Sequence, residues 1–275
     1  GRCAVKRPWP LRVGVGALSA AAAVAWIAPY LWMVSTSFKT LREIVRAPTA
    51  PLPEHVDAGA YREVFAALPV GRYLAVSTGV ALAIAALQVA LALPAGYALA
   101  KLRFAGRRAA FAAVLACLLV PAQVTFVPVF VMFSRVGLVN TAAALVLPFA
   151  ASALGTFLVR QALRAVPDEI IEAARMDGAP ERTIVYGILG PIVTPTLASL
   201  FLISFVFHWN DYFWPLVMTT DDTVRTLPLG VALLREQGTG VRWHIVMAGN
   251  VVLSVPPLAL FAVLQRHLLR AVGGR

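Results

Sequence analysis

The chain has 275 residues, 60% of them apolar and only 13% charged, with a formal net charge of +11. A soluble domain carries about 45–50% apolar and ~25% charged residues. The composition therefore excludes an ordinary soluble fold, intrinsic disorder and a small disulfide scaffold together. Cys3 and Cys117 make no metal-ligand pattern with the four histidines.

Six uncharged runs follow in chain order. Val13–Val34 has 22 residues, Tyr73–Ala100 has 28 and Ala109–Ser134 has 26. After the single Arg135 come Val136–Val159 with 24, Thr183–Asn210 with 28 and Trp243–Gln265 with 23. Each reaches the ~20 residues that cross ~30 Å of hydrocarbon at ~1.5 Å per residue. The expectation is an all-α polytopic membrane protein with six transmembrane helices, over about 13–34, 73–99, 109–133, 139–160, 191–211 and 244–265. Residues 1–12 form an N-terminal segment, 13–270 a single transmembrane domain and 271–275 a short tail. The first run is too long for a signal-peptide core and is read as a retained span.

Lysine and arginine counts orient the spans. With the N-terminus inside, the inner segments hold 15 basic residues and the outer ones nine. The clearest loop is Lys101–Arg108, with four basic residues and no acid. Both termini are therefore predicted cytoplasmic. The inner segments sum to +10 and everything else to +1, so the basic excess follows topology and gives no support to nucleic-acid binding.

Proline recurs in or beside every span: Pro29, Pro94, Pro121, Pro128, Pro148, Pro191, Pro195, Pro256 and Pro257. Ordinary membrane-helix composition accounts for this, since neighbouring helices re-satisfy the freed carbonyls. Kinked helices lining a pathway that opens and closes are the sharper alternative.

The connection at Arg160–Gly190 differs from the others. Pro167 suits a first helical position, with Asp168 and Glu169 in the first turn facing the positive end of the helix dipole. Gly178 suits a left-handed stop, and Pro180 with Glu181 restarts a helix whose Ile184, Ile188 and Leu189 form an apolar stripe. On these residues alone, a solvated surface helix pair is the default.

Glu172-Ala173-Ala174, Asp177-Gly178-Ala179, Ile188 and Pro191 resemble the EAA loop (167–190) of binding-protein-dependent ABC importer permeases. Tyr97–Phe104, Trp209-Asn210-Asp211, Trp214-Pro215-Leu216, Thr226–Gly230 and Gln265-Arg266 are similar to the smaller membrane subunit of maltose-type carbohydrate importers. The resemblance implies a permease subunit in a bacterial inner membrane that forms half of a translocation pathway for a sugar or sugar-like solute. It implies partners as well: a second permease subunit, two ATP-binding-cassette ATPase subunits or domains, and an extracytoplasmic solute-binding protein. Glu172, Ala173, Ala174, Asp177, Gly178 and Ala179 would then couple to the ATPase, Gly178 giving the tight turn and the alanines allowing close approach. Gly190 stands where the family usually has Leu before the proline.

No G-x-x-x-x-G-K-[ST] phosphate loop occurs, not even a Gly-Lys dipeptide. The expected cofactor set is therefore empty, with ATP used by a partner chain, and no catalytic or metal site is expected.

Asp211 is the only charged residue between Thr183 and Thr220, and falls near the outer end of the fifth run. Trp209, Asn210, Tyr212 and Trp214 surround it, which fits either an interfacial aromatic belt or a sugar-facing rim. These five, with Asn250, are the candidate substrate-pathway residues. His208 reads as a packing histidine, and Gln88, Gln123, Thr125, Asn250 and Ser254 as helix–helix hydrogen-bonding groups or pathway contacts. Two rival classes make different demands on the sequence. An ion-coupled secondary carrier calls for mid-span charges and an internal repeat, and a membrane enzyme calls for a clustered His/Asp/Glu or Ser/Lys constellation. An ABC permease for a non-carbohydrate solute such as a glycerophosphodiester stays open.

Overall fold

The computed structural model describes residues 9–235 and 242–272, and every regular element among them is helical. Three candidate spans lie within single long helices: α1 (Trp9–Ser37), α4 (Val70–Lys101) and α14 (Trp243–Val272). Between α1 and α4 come the short α2 (Leu41–Arg46) and α3 (Gly59–Ala67). The remaining candidates are bent pairs, so the described residues hold three helices long and apolar enough to cross a membrane, or up to six spans if each pair counts as one.

Three of the six expected spans are thus bent pairs rather than single helices. The run at 109–133 divides into α5 (Arg107–Leu119) and α6 (Ala122–Arg135) at Pro121, whose φ of −63° and ψ of 133° are extended. The run at 139–160 becomes α7 (Ala142–Val146), a 3₁₀ turn (Leu147–Phe149) holding Pro148, and α8 (Ala153–Arg164), with a 43° bend. The run at 191–211 is straight only over α11 (Thr194–Trp209), which meets Thr183–Ile192 at 81°. Proline lacks a backbone N–H and its ring crowds the carbonyl four residues back. Pro191 and Pro195 accordingly sit in the first turns of α10 (Gly190–Ile192) and α11. Pro29, Pro94, Pro128 and Pro256–Pro257 instead lie inside continuous helices, so the residue type alone does not choose between kink and break.

Ahead of α10, Thr183–Leu189 forms a π-helix. Gly190 donates its N–H to the Val185 carbonyl, five residues back, which is the π register. After α8 comes α9 (Asp168–Met176), and after α11 come α12 (Phe213–Met218) and α13 (Leu227–Leu233).

The chain forms two compact units. One draws on the stretches up to Pro69 and on Val231–Leu253. In it, the buried Lys39 donates to the Ala50 carbonyl, and its ammonium lies 5.5 Å from the Trp32 ring centroid. Glu43, also buried, accepts from the Glu54 N–H at 2.6 Å through Oε1, and Ser37 meets the Tyr61 hydroxyl at 2.8 Å. Along α1, Leu18, Val24 and Trp26 are exposed, as suits a helix whose apolar face meets lipid or another subunit.

The second unit comprises Val70–Gly230 with residues from Ser254 on. Here α4 and α8 pack closely because position 96 is glycine. A Cβ there would lie 2.8 Å from Val159 Cγ1 and 3.0 Å from the Arg160 backbone nitrogen. Two apolar clusters result. One joins Leu93, Val159, Leu163, Ile171, Ile184 and Leu189, and the other joins Ile84, Phe133, Leu145, Trp214 and Met218. In contrast, α5 contributes no buried residue to either.

Candidate functional site

Helix α9 is set up by its termini. Pro167, with φ −58° and ψ 141°, is the residue before the first turn rather than in it, which shifts the expected start by one position. Asp168 and Glu169 do occupy that first turn. At the other end Gly178 takes φ +77°, in the left-handed region, and its N–H bonds the Arg175 carbonyl. The helix restarts at Pro180, whose carbonyl accepts from Thr183 and Ile184. Ile184 and Leu189 are fully buried and Ile188 packs partly against the same cluster, joined by Val185.

Two residues near the end of α4, one turn apart, hold α9 from behind. Lys101 donates to the Val166 carbonyl at 2.6 Å and pairs with Asp168 at 2.5 Å. Tyr97 donates to Glu181 Oε2 at 2.5 Å, and Arg175 reaches both the Tyr97 hydroxyl (3.0 Å) and Glu181 Oε1 (2.8 Å). The Tyr97 hydrogen bond, aided by Arg175, holds the Glu181 carboxyl below the usual glutamate range. Lys101 holds Asp168 down in the same way. A cavity of about 400 Å³ opens beside these residues, lined by Lys101, Arg103, Asp168, Ile171, Glu172 and Arg175.

The six loop residues singled out in the sequence divide by exposure. Glu172, Ala173, Asp177 and Gly178 face outward, whereas Ala174 is buried with Ile171 against the chain's own core and Ala179 is half-buried. Beyond these six, the structure adds Met176, which is 89% exposed, and a tethering role for Tyr97, Lys101, Arg175 and Glu181. A signal for two tethers was present: Tyr97 and Lys101 stand four apart in the quoted motif, on one helix face.

The polar group at the far end of α11 is arranged differently. Trp209 is fully buried and stacks on Phe205 with centroids 5.7 Å apart. Trp214 is buried, and its indole N–H donates to the Ala144 carbonyl at 2.9 Å. Asn210 is exposed and donates to the Val206 carbonyl at 2.7 Å, capping its own helix. Asp211 is half-buried and accepts the Trp214 backbone N–H at 3.2 Å, capping α12, while Tyr212 stays exposed. Gln88 donates to the Phe149 carbonyl at 2.8 Å and lies 3.3 Å from His208 Nε2. The His208 ring packs 4.8 Å from Phe149. Asp211, His208, Ser77 and Thr226 line a cavity of about 10 Å³, room for roughly one water. Asn250 is half-buried on α14 in the other unit, and the Gln123 side chain falls outside the described residues.

Comparison with known proteins fits this arrangement. Residues 92–274 match the family model for the binding-protein-dependent transport system inner membrane component. The lactose transport system permease protein LacG of Rhizobium radiobacter is 32% identical over 270 residues, covering 98% of this chain and 97% of that protein. The sn-glycerol-3-phosphate transport system permease protein UgpE of Pectobacterium atrosepticum is 31% identical over 84% of this chain and 85% of its own length. Among solved structures, a bacterial ABC transporter that imports the acidic polysaccharide alginate shares the fold, with a TM-score of 0.81 at 21% identity over 93% of this chain and 95% of that one. The chain belongs to the inner membrane components of binding-protein-dependent transport systems, and is a multi-pass permease subunit of an ABC importer rather than an enzyme.

Proposed function

We propose that this permease crosses the membrane six times, each bent pair serving as one span, with both termini cytoplasmic. It forms half of the translocation pathway for a sugar or sugar-like solute, with a second permease subunit forming the other half. Two ATPase subunits or domains supply the energy and a periplasmic solute-binding protein delivers the cargo. The observation that carries this reading is α9, a short helix held near both ends by α4, through Lys101 to Asp168 and Tyr97 to Arg175, with Glu172, Ala173, Met176 and Asp177 facing outward. A rigidly held helix with an open polar and apolar face is what a docking element for an ATPase requires, because displacement of the loop then moves the attached helices as a lever.

The solute class rests on kinship. The lactose permease is similar over nearly the whole chain, and a transporter of alginate shares the fold. An alginate transporter solved with a pentasaccharide-bound periplasmic protein, TM-score 0.54, supports the binding-protein partnership. Several relatives are named for sn-glycerol-3-phosphate transport, and they favour a phosphorylated polyol as the second reading. Trp209, Asn210, Asp211, Tyr212, Trp214 and Asn250 are the proposed pathway-side residues.

Reconstitution of the chain with its partner subunits in vesicles tests the assignment. Uptake that requires ATP and the binding protein is the expected result. Uptake driven by a proton or sodium gradient without ATP would overturn it in favour of an ion-coupled carrier. Uptake of labelled lactose against labelled glycerol-3-phosphate separates the two solute classes.

A further inference from the structure

The inner ends of α4 and α8 and the start of α5 enclose a cavity of about 210 Å³, lined by Ala100, Arg107, Arg108, Phe111, Arg160 and Arg164. Four guanidinium groups and no acid face this one space. Among the described residues every ion pair lies elsewhere. The Arg160 guanidinium is set 3.6 Å from the Phe111 ring centroid, its Nε donates to the Leu99 carbonyl at 3.2 Å, and Phe111 is stacked on Phe157. Arg107 is fixed by donation to the Leu102 carbonyl at 2.9 Å. Two of the four cations are thus held in place by their own chain.

Arg107 and Arg108 also open α5, at the positive end of its dipole, with no acidic residue in the first turn and no side-chain cap at Gly106. Cations at that end are unfavourable, and an anion there relieves both the helix and the arginines. Guanidinium groups bind phosphate oxygens through paired N–H donors, which suits this cluster to a phosphate more than to a bare negative field. The surface running away from the cavity is apolar and exposed: Phe104 in the turn, then Leu115, Leu118 and Leu119 along α5. A headgroup with acyl chains attached matches both parts at once, which free phosphate or an acidic protein face does not.

We propose that the pocket between α4, α5 and α8 binds the phosphate of an anionic phospholipid from the cytoplasmic leaflet, its acyl chains lying along α5. The proposal rests on the cytoplasmic placement of this loop. Labelling an Arg108→Cys variant from either side of sealed vesicles checks that placement separately.

The test uses the assembled transporter in nanodiscs of phosphatidylcholine doped with photoactivatable phosphatidylglycerol. Labelling of peptides around residues 107–111 and 160–164 is expected, with retained phosphatidylglycerol falling about tenfold in the Arg107→Gln/Arg108→Gln and Arg160→Gln/Arg164→Gln variants. The corresponding lysine variants should keep most of the binding. The exposed Arg182→Gln, on the same side of the membrane but outside the cavity, should leave it unchanged, which separates a site from diffuse charge. Equal retention in the glutamine variants would overturn the proposal. Displacement by inorganic phosphate as readily as by lipid would assign the site to free phosphate. A crosslink from position 108 to the ATPase, with no lipid labelling, would make the cluster a protein contact.

Discussion

Two polar regions of the same unit contrast sharply. Behind α9, charged and phenolic groups reach across distant parts of the sequence, Lys101 to Asp168 and Tyr97 to Glu181, so the loop is fastened to α4. Around Asp211 the polar atoms serve backbone groups rather than other charged side chains: Asn210 caps α11, Asp211 caps α12, and the Trp214 indole bonds the Ala144 carbonyl. One region is pinned from behind and displays a face. The other uses its polar atoms to hold its own chain in shape. Display and self-support therefore follow different rules, although both regions are rich in the residue types that sequence reading marks as functional.

The largest expected effect lies in the displayed loop. Gly178→Ala adds a methyl group with no heavy atom within 4 Å, so its cost of roughly 1–2 kcal/mol is purely that of the left-handed backbone. Uptake by the reconstituted transporter should fall severely while membrane insertion persists, and Glu172→Lys should act alike without backbone strain. Normal transport in both would erase the distinction between the regions. Next comes the seam beneath the loop. Gly96→Ala must push α4 from α8 against backbone, and a loss of about 1–3 kcal/mol should appear as a lowered unfolding midpoint in detergent.

The tethers are weaker, because Glu181 is solvent-accessible. Tyr97→Phe should loosen α9 by about 1 kcal/mol, read as faster hydrogen exchange over 168–182. A depressed carboxyl stabilises the folded loop above the unfolded pKa and loses that contribution as pH falls through the folded value. Protection over the loop should thus be level near neutrality and drop in acid below the ordinary glutamate range. Glu181→Gln should remove its part of that step, leaving the part due to Asp168. The smallest structural effect is expected at Asp211→Asn, which keeps an oxygen to cap Trp214. Uptake that falls while the unfolding midpoint holds would place Asp211 on the solute's path. Unchanged uptake would leave it a cap.

The helical fold, the candidate spans and the loop's helix–turn–helix were legible because each rests on local pattern: uncharged run length, a first-turn acid pair, and a glycine at a left-handed stop. The breaks were not. Pro94 and Pro121 look alike in sequence, yet one is absorbed within α4 and the other divides α5 from α6, so residue type alone does not decide between the two. Burial was equally hidden. Ala173 and Ala174 are adjacent and chemically identical, but helical geometry turns one outward and the other onto the Tyr97 and Leu163 cluster. The tethers escaped for the same reason: Tyr97 and Glu181 are 84 positions apart, and only packing brings them together.

The brevity of α11 has a consequence for the surrounding bilayer. Sixteen residues rise only about 24 Å, short of a typical ~30 Å hydrocarbon layer, and tilt would shorten the crossing further. Such hydrophobic mismatch is met by local thinning of the membrane or by apolar neighbours filling the missing depth. The π-segment on one side and the exposed Phe213 and Leu216 on the other are apolar enough to fill it. Activity should therefore respond to acyl-chain length in the host membrane, with the aromatic turn after α11 as the element that meets a thicker bilayer first.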